Sequence, residues 1–129
     1  MIEVAMVFDK EGRAIHWPSP QGSAGSIPDS RSLWDILWEN RAILGGVAHT
    51  HPWDGEPHPS STDVTTFAAI EAGLGFRLVW PIVTMTQVGY YEYNDGYRLF
   101  LYPPYFEETE EWNKLIHQMR LLSLGDPQW

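Results

Sequence analysis

Short apolar runs alternate with polar stretches rich in glycine and proline along the chain, a pattern typical of a fold built from short strands and helices. Apolar runs bounded by turn residues predict about six strands, near residues 2–8, 13–17, 43–48, 76–85, 88–93 and 97–102. Apolar residues at helical spacing predict about three helices, near residues 33–40, 64–73 and 107–123. The last of these is strongly amphipathic, because Trp112, Leu115, Ile116 and Met119 all fall on one face.

The order of these elements predicts the fold class. Strands and helices are mixed along the sequence, and the Asn94-Asp95-Gly96 triplet between the last two strands is a strong hairpin signal. A length of 129 residues suits one ordinary domain. We therefore expect a single α/β (α+β) domain over residues 1–129, with a core over about 1–104, a central mixed sheet and a C-terminal amphipathic helix over about 107–123.

Composition and charge exclude several classes of function. The chain has no cysteine, so disulfides, thiolate metal sites and cysteine nucleophiles are ruled out. Seventeen acidic residues against eight basic ones leave a net charge of −9, and no basic footprint for nucleic acid is visible. No apolar run is long enough to span a membrane, and the first residues lack the features of a signal peptide. We therefore expect a cytoplasmic protein.

Three of the five histidines lie close together, and two of them suggest a metal site. His49 and His51 are two residues apart at the exit of a predicted strand, so both side chains should lie on the same face. Asp63 follows in the first turn of the next predicted helix. Two imidazoles and one carboxylate with a fourth position open form the pattern of a catalytic zinc site.

Two alternatives to a zinc site have to be considered. Residues 60–63 also read as a capping box, in which Ser60 and Asp63 would simply stabilise the start of a helix. That interpretation is compatible with metal binding, because a carboxylate at a helix N-terminus is already oriented and ionised. Two histidines and one carboxylate also suit a non-haem Fe(II) oxygenase, but that fold needs more strands than this sequence supplies.

The combined motif resembles a known family. His49-Thr50-His51-Pro52 followed by Pro59-Ser60-Ser61-Thr62-Asp63 is similar to the H-x-H-P … S-x-x-D signature of the JAMM (MPN+, JAB-type) zinc metalloproteases, in their compact prokaryotic form. The resemblance implies a JAB/MPN-like, cytidine-deaminase-like fold with a curved mixed sheet. It implies one Zn²⁺ per chain held by His49, His51 and Asp63, with Ser60 stabilising the oxyanion of the reaction.

The resemblance also implies a general base, a glutamate upstream of the histidines. Glu3, Glu11 and Glu39 are the candidates. Glu11 lies in a predicted turn and Glu39 near the end of a predicted helix, whereas Glu3 interrupts an apolar strand, where a carboxylate is costly without a partner or a role. We therefore expect Glu3 to be the base. The alternative is that Glu3 is an exposed residue of a frayed terminus.

The function that follows from the resemblance is a zinc-dependent peptidase or isopeptidase. The expected substrate is the C-terminal tail of a ubiquitin-like or sulfur-carrier protein, or another peptide. The alternative is a metal-binding but inactive MPN-type scaffold, which would bind a partner without cutting it. Retention of all three ligand residues favours the enzyme over the scaffold.

Overall fold

The computed structural model describes residues 2–17, 31–51, 55–93, 97–100 and 108–125. Its strands are β1 (Ala5–Asp9), β2 (Ala14–His16), β3 (Leu44–Thr50), β4 (Trp80–Val83), β5 (Val88–Tyr93) and β6 (Tyr97–Phe100). Its helices are α1 (Arg31–Glu39), α2 (Ser61–Leu74) and α3 (Glu110–Ser123). The predicted hairpin turn at residues 94–96 lies outside the described residues, although the two strands that it joins are paired.

All the strands in the described part of the chain form one sheet, with the order β2-β1-β3-β4-β5-β6. Strand β3 is parallel to β4, and every other neighbouring pair is antiparallel. The mixed pairing follows from connectivity: α2 carries the chain back between β3 and β4, as parallel strands require. The coarse prediction of an α+β fold with one mixed sheet and three helices is thus confirmed.

The central strands β1, β3 and β4 are buried on both faces, which explains their continuous apolar sequences. Along β1, Ala5 and Val7 belong to a core cluster that includes Leu37 of α1 and Phe67 of α2. The alternate residues, among them Phe8, belong to a second cluster that includes residues of α3. Helices α1 and α2 therefore cover one face of the sheet and α3 covers the other.

Helix α3 is held on its face by an aromatic contact and by hydrogen bonds. The rings of Phe8 and Trp112 meet edge to face with centroids 5.0 Å apart, and such pairs stabilise beyond their buried area. Trp112 also donates through Nε1 to the hydroxyl of Tyr90 at 3.0 Å. At the other end, Nε of Arg120 donates to the carbonyl of Thr84 at 2.8 Å.

Several predicted boundaries differ from the structure. Strand β1 begins at Ala5 rather than near residue 2. Helix α3 begins at Glu110 rather than near residue 107, because the hydroxyl of Thr109 accepts from the N–H of Trp112 and caps the helix there. Strand β4 begins at Trp80 rather than near residue 76, and the N–H of Leu78 donates to a side-chain carboxylate instead.

Close backbone contact between β3 and the start of β4 requires glycine. A Cβ atom at Gly46 would lie 1.8 Å from the carbonyl oxygen of Val79, which is an impossible separation. The two residues form a parallel bridge that extends the β3–β4 pairing. The glycine therefore lets β3 approach β4 closely.

Among the described residues, none of the helices has the length and apolar character needed to cross a lipid bilayer.

Candidate metal centre

Two histidines lie at the carboxyl end of β3, on the face of the sheet that α2 covers. His49 is in the middle of the sheet, where its Cα is in register with Ala5 of β1 and Ile82 of β4. His51 follows the strand and donates its backbone N–H to the carbonyl of Val83 at 2.9 Å. Both side chains are fully buried. Their two-residue spacing brings the two Nε2 atoms within 3.1 Å of each other.

Asp63 reaches the histidines from the first turn of α2. The capping box is present: Oγ of Ser60 accepts from the N–H of Asp63 at 3.0 Å, and the N–H of Ser60 donates to Oδ2 of Asp63 at 2.9 Å. The same Oδ2 lies 2.9 Å from Nε2 of His51 and 3.2 Å from Nε2 of His49. The carboxylate of Asp63 therefore both caps the helix and contacts the two histidines.

The spacing of these three atoms suits a metal ion. In a tetrahedral zinc site with bonds of about 2.0–2.1 Å, neighbouring ligand atoms are about 3.3 Å apart. The three separations among Nε2 of His49, Nε2 of His51 and Oδ2 of Asp63 run from 2.9 to 3.2 Å. Separations slightly shorter than about 3.3 Å correspond to ligand–metal–ligand angles slightly smaller than the tetrahedral angle. With Glu3 included, the four residues place one ligand atom each within 4.8 Å of one another, so the group can hold a metal ion.

Hydrogen bonding alone satisfies this cluster poorly. A carboxylate oxygen only accepts, and an imidazole nitrogen donates only when it carries a proton. Protons on both Nε2 atoms would face each other across 3.1 Å, no proton on either would leave three acceptors together in a buried space, and a single proton could satisfy only one of the three contacts well. Within the described part of the chain, Oδ1 of Asp63 is also buried without a hydrogen-bond partner. A cation stabilises lone pairs arranged in this way.

The environment favours the protonation states that metal ligands need. Burial is the main cause that lowers the pKa of His49, and the nearby charge of His51 lowers that pKa further, although Asp63 acts in the opposite direction. Burial acts to raise the pKa of Asp63, but hydrogen bonds from His49, His51 and the N–H of Ser60 hold that pKa well below its usual range. A neutral imidazole and an ionised carboxylate are the forms that bind metal ions.

Glu3 lies beside the histidines, although it precedes β1 rather than standing within it. Its side chain is 1% exposed, so Glu3 is not a frayed terminal residue. Its Oε1 atom lies 3.9 Å from Nε2 of His49. The other upstream candidates, Glu11 and Glu39, are exposed to solvent. Of the three glutamates considered from sequence, only Glu3 is brought to the cluster.

Ser60 is the half-buried N-cap residue of α2. Its hydroxyl oxygen accepts a hydrogen bond from the N–H of Asp63 in the capping box. Ser60, which is predicted to stabilise the oxyanion, thus lies three positions before Asp63 and is bonded to it through the capping box.

Two residues that sequence reasoning did not assign hold the segment between His51 and Asp63. The hydroxyl of Tyr91 donates to the carbonyl of Pro57 at 2.7 Å, and the hydroxyl of Thr84 donates to the carbonyl of Gly55 at 3.0 Å. Both donors come from the adjoining strands. The only signal in the sequence was a tyrosine and a threonine at apolar strand positions, which packing alone also explains.

The third clustered histidine does not join the site. The side chain of His58 is 61% exposed, and its Nε2 atom pairs with the exposed carboxylate of Glu56 at 2.7 Å. His58 is therefore a useful internal comparison for the buried histidines.

Comparisons with known proteins do not assign this chain to a family. No protein-family model matches the sequence, and no similar sequence was found among curated proteins. Functional inference therefore depends on the geometry of the site and on the motif.

Proposed function

We propose that this protein is a zinc-dependent metallopeptidase or isopeptidase of the JAMM/MPN+ type, with a JAB/MPN-like fold. One observation carries the proposal: His49, His51 and Asp63 bring three ligand atoms within 3.2 Å of one another in a buried space, with a second acidic residue, Glu3, next to them. Three protein ligands together with an adjacent carboxylate are what hydrolytic zinc chemistry requires.

His49, His51 and Asp63 would hold the ion. When bound, Zn²⁺ supplies a Lewis acid that polarises the substrate carbonyl and makes water nucleophilic near neutral pH. The side chains of all three residues are fully buried. Asp63 is fixed from two directions, by the helix cap and by the histidines, so the ligand set is organised before any ion arrives.

Glu3 acts as the general base and then as the general acid. Its carboxylate takes a proton from the attacking water while the water oxygen bonds to the carbonyl carbon of the scissile amide. The same proton then passes to the amide nitrogen as the carbon–nitrogen bond breaks, leaving an amine and a carboxylic acid, which then ionises. Burial beside His49 suits this role, because a group held in place transfers protons more efficiently than a mobile one.

Ser60 stabilises the charge that develops on the carbonyl oxygen. A hydroxyl fixed at the start of α2 is a preorganised donor, and the N-terminus of the helix adds a favourable field for negative charge. Because the capping box fixes the rotamer of Ser60, little reorganisation is needed when the charge forms.

The proposed substrate is the C-terminal tail of a ubiquitin-like or sulfur-carrier protein, or another extended peptide. Such a tail can dock by adding a strand to a sheet edge, a mode in which backbone hydrogen bonds supply affinity. The proposal comes from the resemblance of residues 49–63 to the family motif.

A cleavage assay tests this function. Purified protein loaded with zinc is incubated with a panel of ubiquitin-like and sulfur-carrier fusions, with and without a chelator. We expect cleavage that the chelator abolishes and that added zinc restores. Glu3→Gln should lower the rate by about 10²–10⁴-fold, the usual contribution of a general base. Glu11→Gln and Glu39→Gln are matched controls, because both residues are exposed and should leave the rate unchanged.

The same assay distinguishes the enzyme from a scaffold. Cleavage that ignores the chelator would contradict a metalloenzyme. Zinc binding without cleavage of any tested fusion would favour the metal-binding, inactive MPN-type module instead.

A further inference from the structure

The segment that carries Glu3 is held from two sides by elements distant in sequence. Ile2 and Ser123 are joined by two reciprocal hydrogen bonds: the N–H of Ile2 donates to the carbonyl of Ser123 at 2.9 Å, and Oγ of Ser123 donates to the carbonyl of Ile2 at 2.6 Å. Ser123 is the last residue of α3 and is completely buried. The C-terminal helix is therefore tied to the residue immediately before Glu3.

The residue immediately after Glu3 is held in the same way. The N–H of Val4 donates to Oγ1 of Thr50 at 2.8 Å, and the N–H of Thr50 donates to the carbonyl of Val4 at 2.9 Å. Thr50 is fully buried and lies between the two histidine ligands. One side-chain hydroxyl thus fixes each peptide that flanks Glu3.

These contacts hold Glu3, which lies shortly before the first residue of β1. Strand β1 begins only at Ala5, so Glu3 lies outside the regular ladder and near the chain start, where backbone is ordinarily mobile unless it is tied down. The hydroxyls of Ser123 and Thr50, together with the two backbone hydrogen bonds, therefore hold this segment in place beside His49. The helix end that supplies Ser123 is itself anchored by Arg120, which donates to the carbonyl of Thr84.

We propose that Ser123 and Thr50 are positioning residues that hold the Glu3 carboxylate at the metal centre. Through Ser123, the C-terminal helix contributes to the geometry of the site. The inference rests on the proposed function, because it takes Glu3 to act at the bound ion. Ser123 does not touch the substrate or the ion in this account. It acts through Ile2 on the neighbouring residue.

The main variants remove one hydroxyl each. Ser123→Ala leaves the carbonyl of Ile2 without its side-chain donor, and Thr50→Val removes the acceptor for the N–H of Val4 while keeping nearly the same shape. Thr50→Ser keeps the hydroxyl and should restore the wild-type behaviour. Thr109→Ala is the matched control for Ser123→Ala, since it removes a hydroxyl bond at the opposite end of the same helix without contacting Ile2.

The readout is the visible absorption spectrum of the full chain loaded with Co²⁺, which reports the surroundings of the ion and needs no substrate. Glu3→Gln defines the spectrum expected when the carboxylate is lost. We expect the Ser123→Ala and Thr50→Val spectra to move toward that of Glu3→Gln, whereas Thr109→Ala and Thr50→Ser match wild type. In a cleavage assay, turnover should fall roughly ten- to hundredfold at unchanged KM, the effect of a misplaced catalytic group.

The possible results separate this inference from the proposed function. Wild-type spectra for both Ser123→Ala and Thr50→Val, with an altered spectrum for Glu3→Gln, would overturn the inference alone. If Ser123→Ala does not fold, Thr50→Val against Thr50→Ser decides the matter. Failure of the wild-type chain to bind Co²⁺ would overturn the inference together with the proposed metal site, and an unchanged Glu3→Gln spectrum would overturn the inference together with the proposed role of Glu3. The expected spectra without cleavage of any substrate would uphold the inference and contradict only the peptidase activity.

Discussion

Glu71, a buried glutamate that is not part of the metal cluster, supports a specific prediction about how the fold holds the site. Glu71 of α2 is 3% exposed, and its Oε2 atom accepts from the N–H of Leu78 at 2.9 Å and from Nε1 of Trp80 at 2.8 Å. The ring of Trp80 stacks on Phe67 at 4.2 Å, and Phe67 meets His49 edge to face at 5.9 Å. The carboxylate therefore fixes the packing behind the metal ligands.

The expected cost of removing this carboxylate follows from the two donors. Hydrogen bonds to charged groups contribute about 1.5–3 kcal/mol each, and Glu71→Ala would leave two buried N–H groups unsatisfied. We expect a loss of about 3–5 kcal/mol. For a domain of this length that loss corresponds to a fall in Tm of roughly 10–20 °C. Glu71→Gln retains an acceptor and should cost only about 1–2 kcal/mol.

Denaturant unfolding followed by tryptophan fluorescence measures these differences. Glu110→Ala is the matched control, because Glu110 is exposed and makes only a surface pair with Lys114, at 3.6 Å. Such pairs contribute about 0.5 kcal/mol or less. If Glu71→Ala is no more destabilising than Glu110→Ala, Glu71 does not fix the packing behind His49, and this account of the support for the site is refuted.

Three further predictions concern the ion, the sheet and pH. Zinc at a hundredfold excess over its Kd should stabilise the fold by about 2.7 kcal/mol, and a chelator should reverse the rise in Tm that calorimetry records. Gly46→Ala should cost about 3 kcal/mol in denaturant unfolding, because the new Cβ would collide with the carbonyl of Val79; a loss too small to measure would contradict the close approach of β3 and β4. Stability should fall as the pH rises from about 10 toward 12. The reason is that burial and, to a lesser extent, the charge of Glu56 raise the pKa of Tyr91 to about 12, so the folded chain keeps a phenolic proton that the unfolded chain loses. Burial raises the pKa of Tyr90 as well, so Tyr91→Phe should reduce that dependence without removing it, and an equally steep alkaline loss in this variant would show that Tyr91 does not contribute to it.

Local patterns were enough to predict the helices, the strands and the convergence of the ligands. The H-x-H spacing fixes the side of the strand on which His49 and His51 lie, and a capping box fixes the direction of the Asp63 side chain. Both rules involve residues that are close together in the chain, so they can be applied to a single sequence. The same locality explains why α3 could be recognised from its spacing alone.

Contacts between distant residues could not be predicted in this way. The two hydrogen bonds between Ser123 and Ile2 span 121 positions, and the one from Tyr91 to Pro57 spans 34. No periodicity links such residues, since their meeting depends on how the sheet is ordered and on where α3 lies. The start of β4 was missed for a related reason: the N–H of Leu78 is bound by the Glu71 side chain, a competitor that strand propensity does not include.

The central claim is that His49, His51 and Asp63 form a zinc site, and metal content measures it most directly. Wild-type protein, exposed to zinc and freed of excess, should retain one zinc ion per chain by elemental analysis. His49→Ala, His51→Ala and Asp63→Asn should each lose it, whereas His58→Ala, which removes an exposed histidine only seven positions from His51, should keep the full amount. Wild-type protein without bound zinc, or full retention by the three ligand variants, would contradict the account.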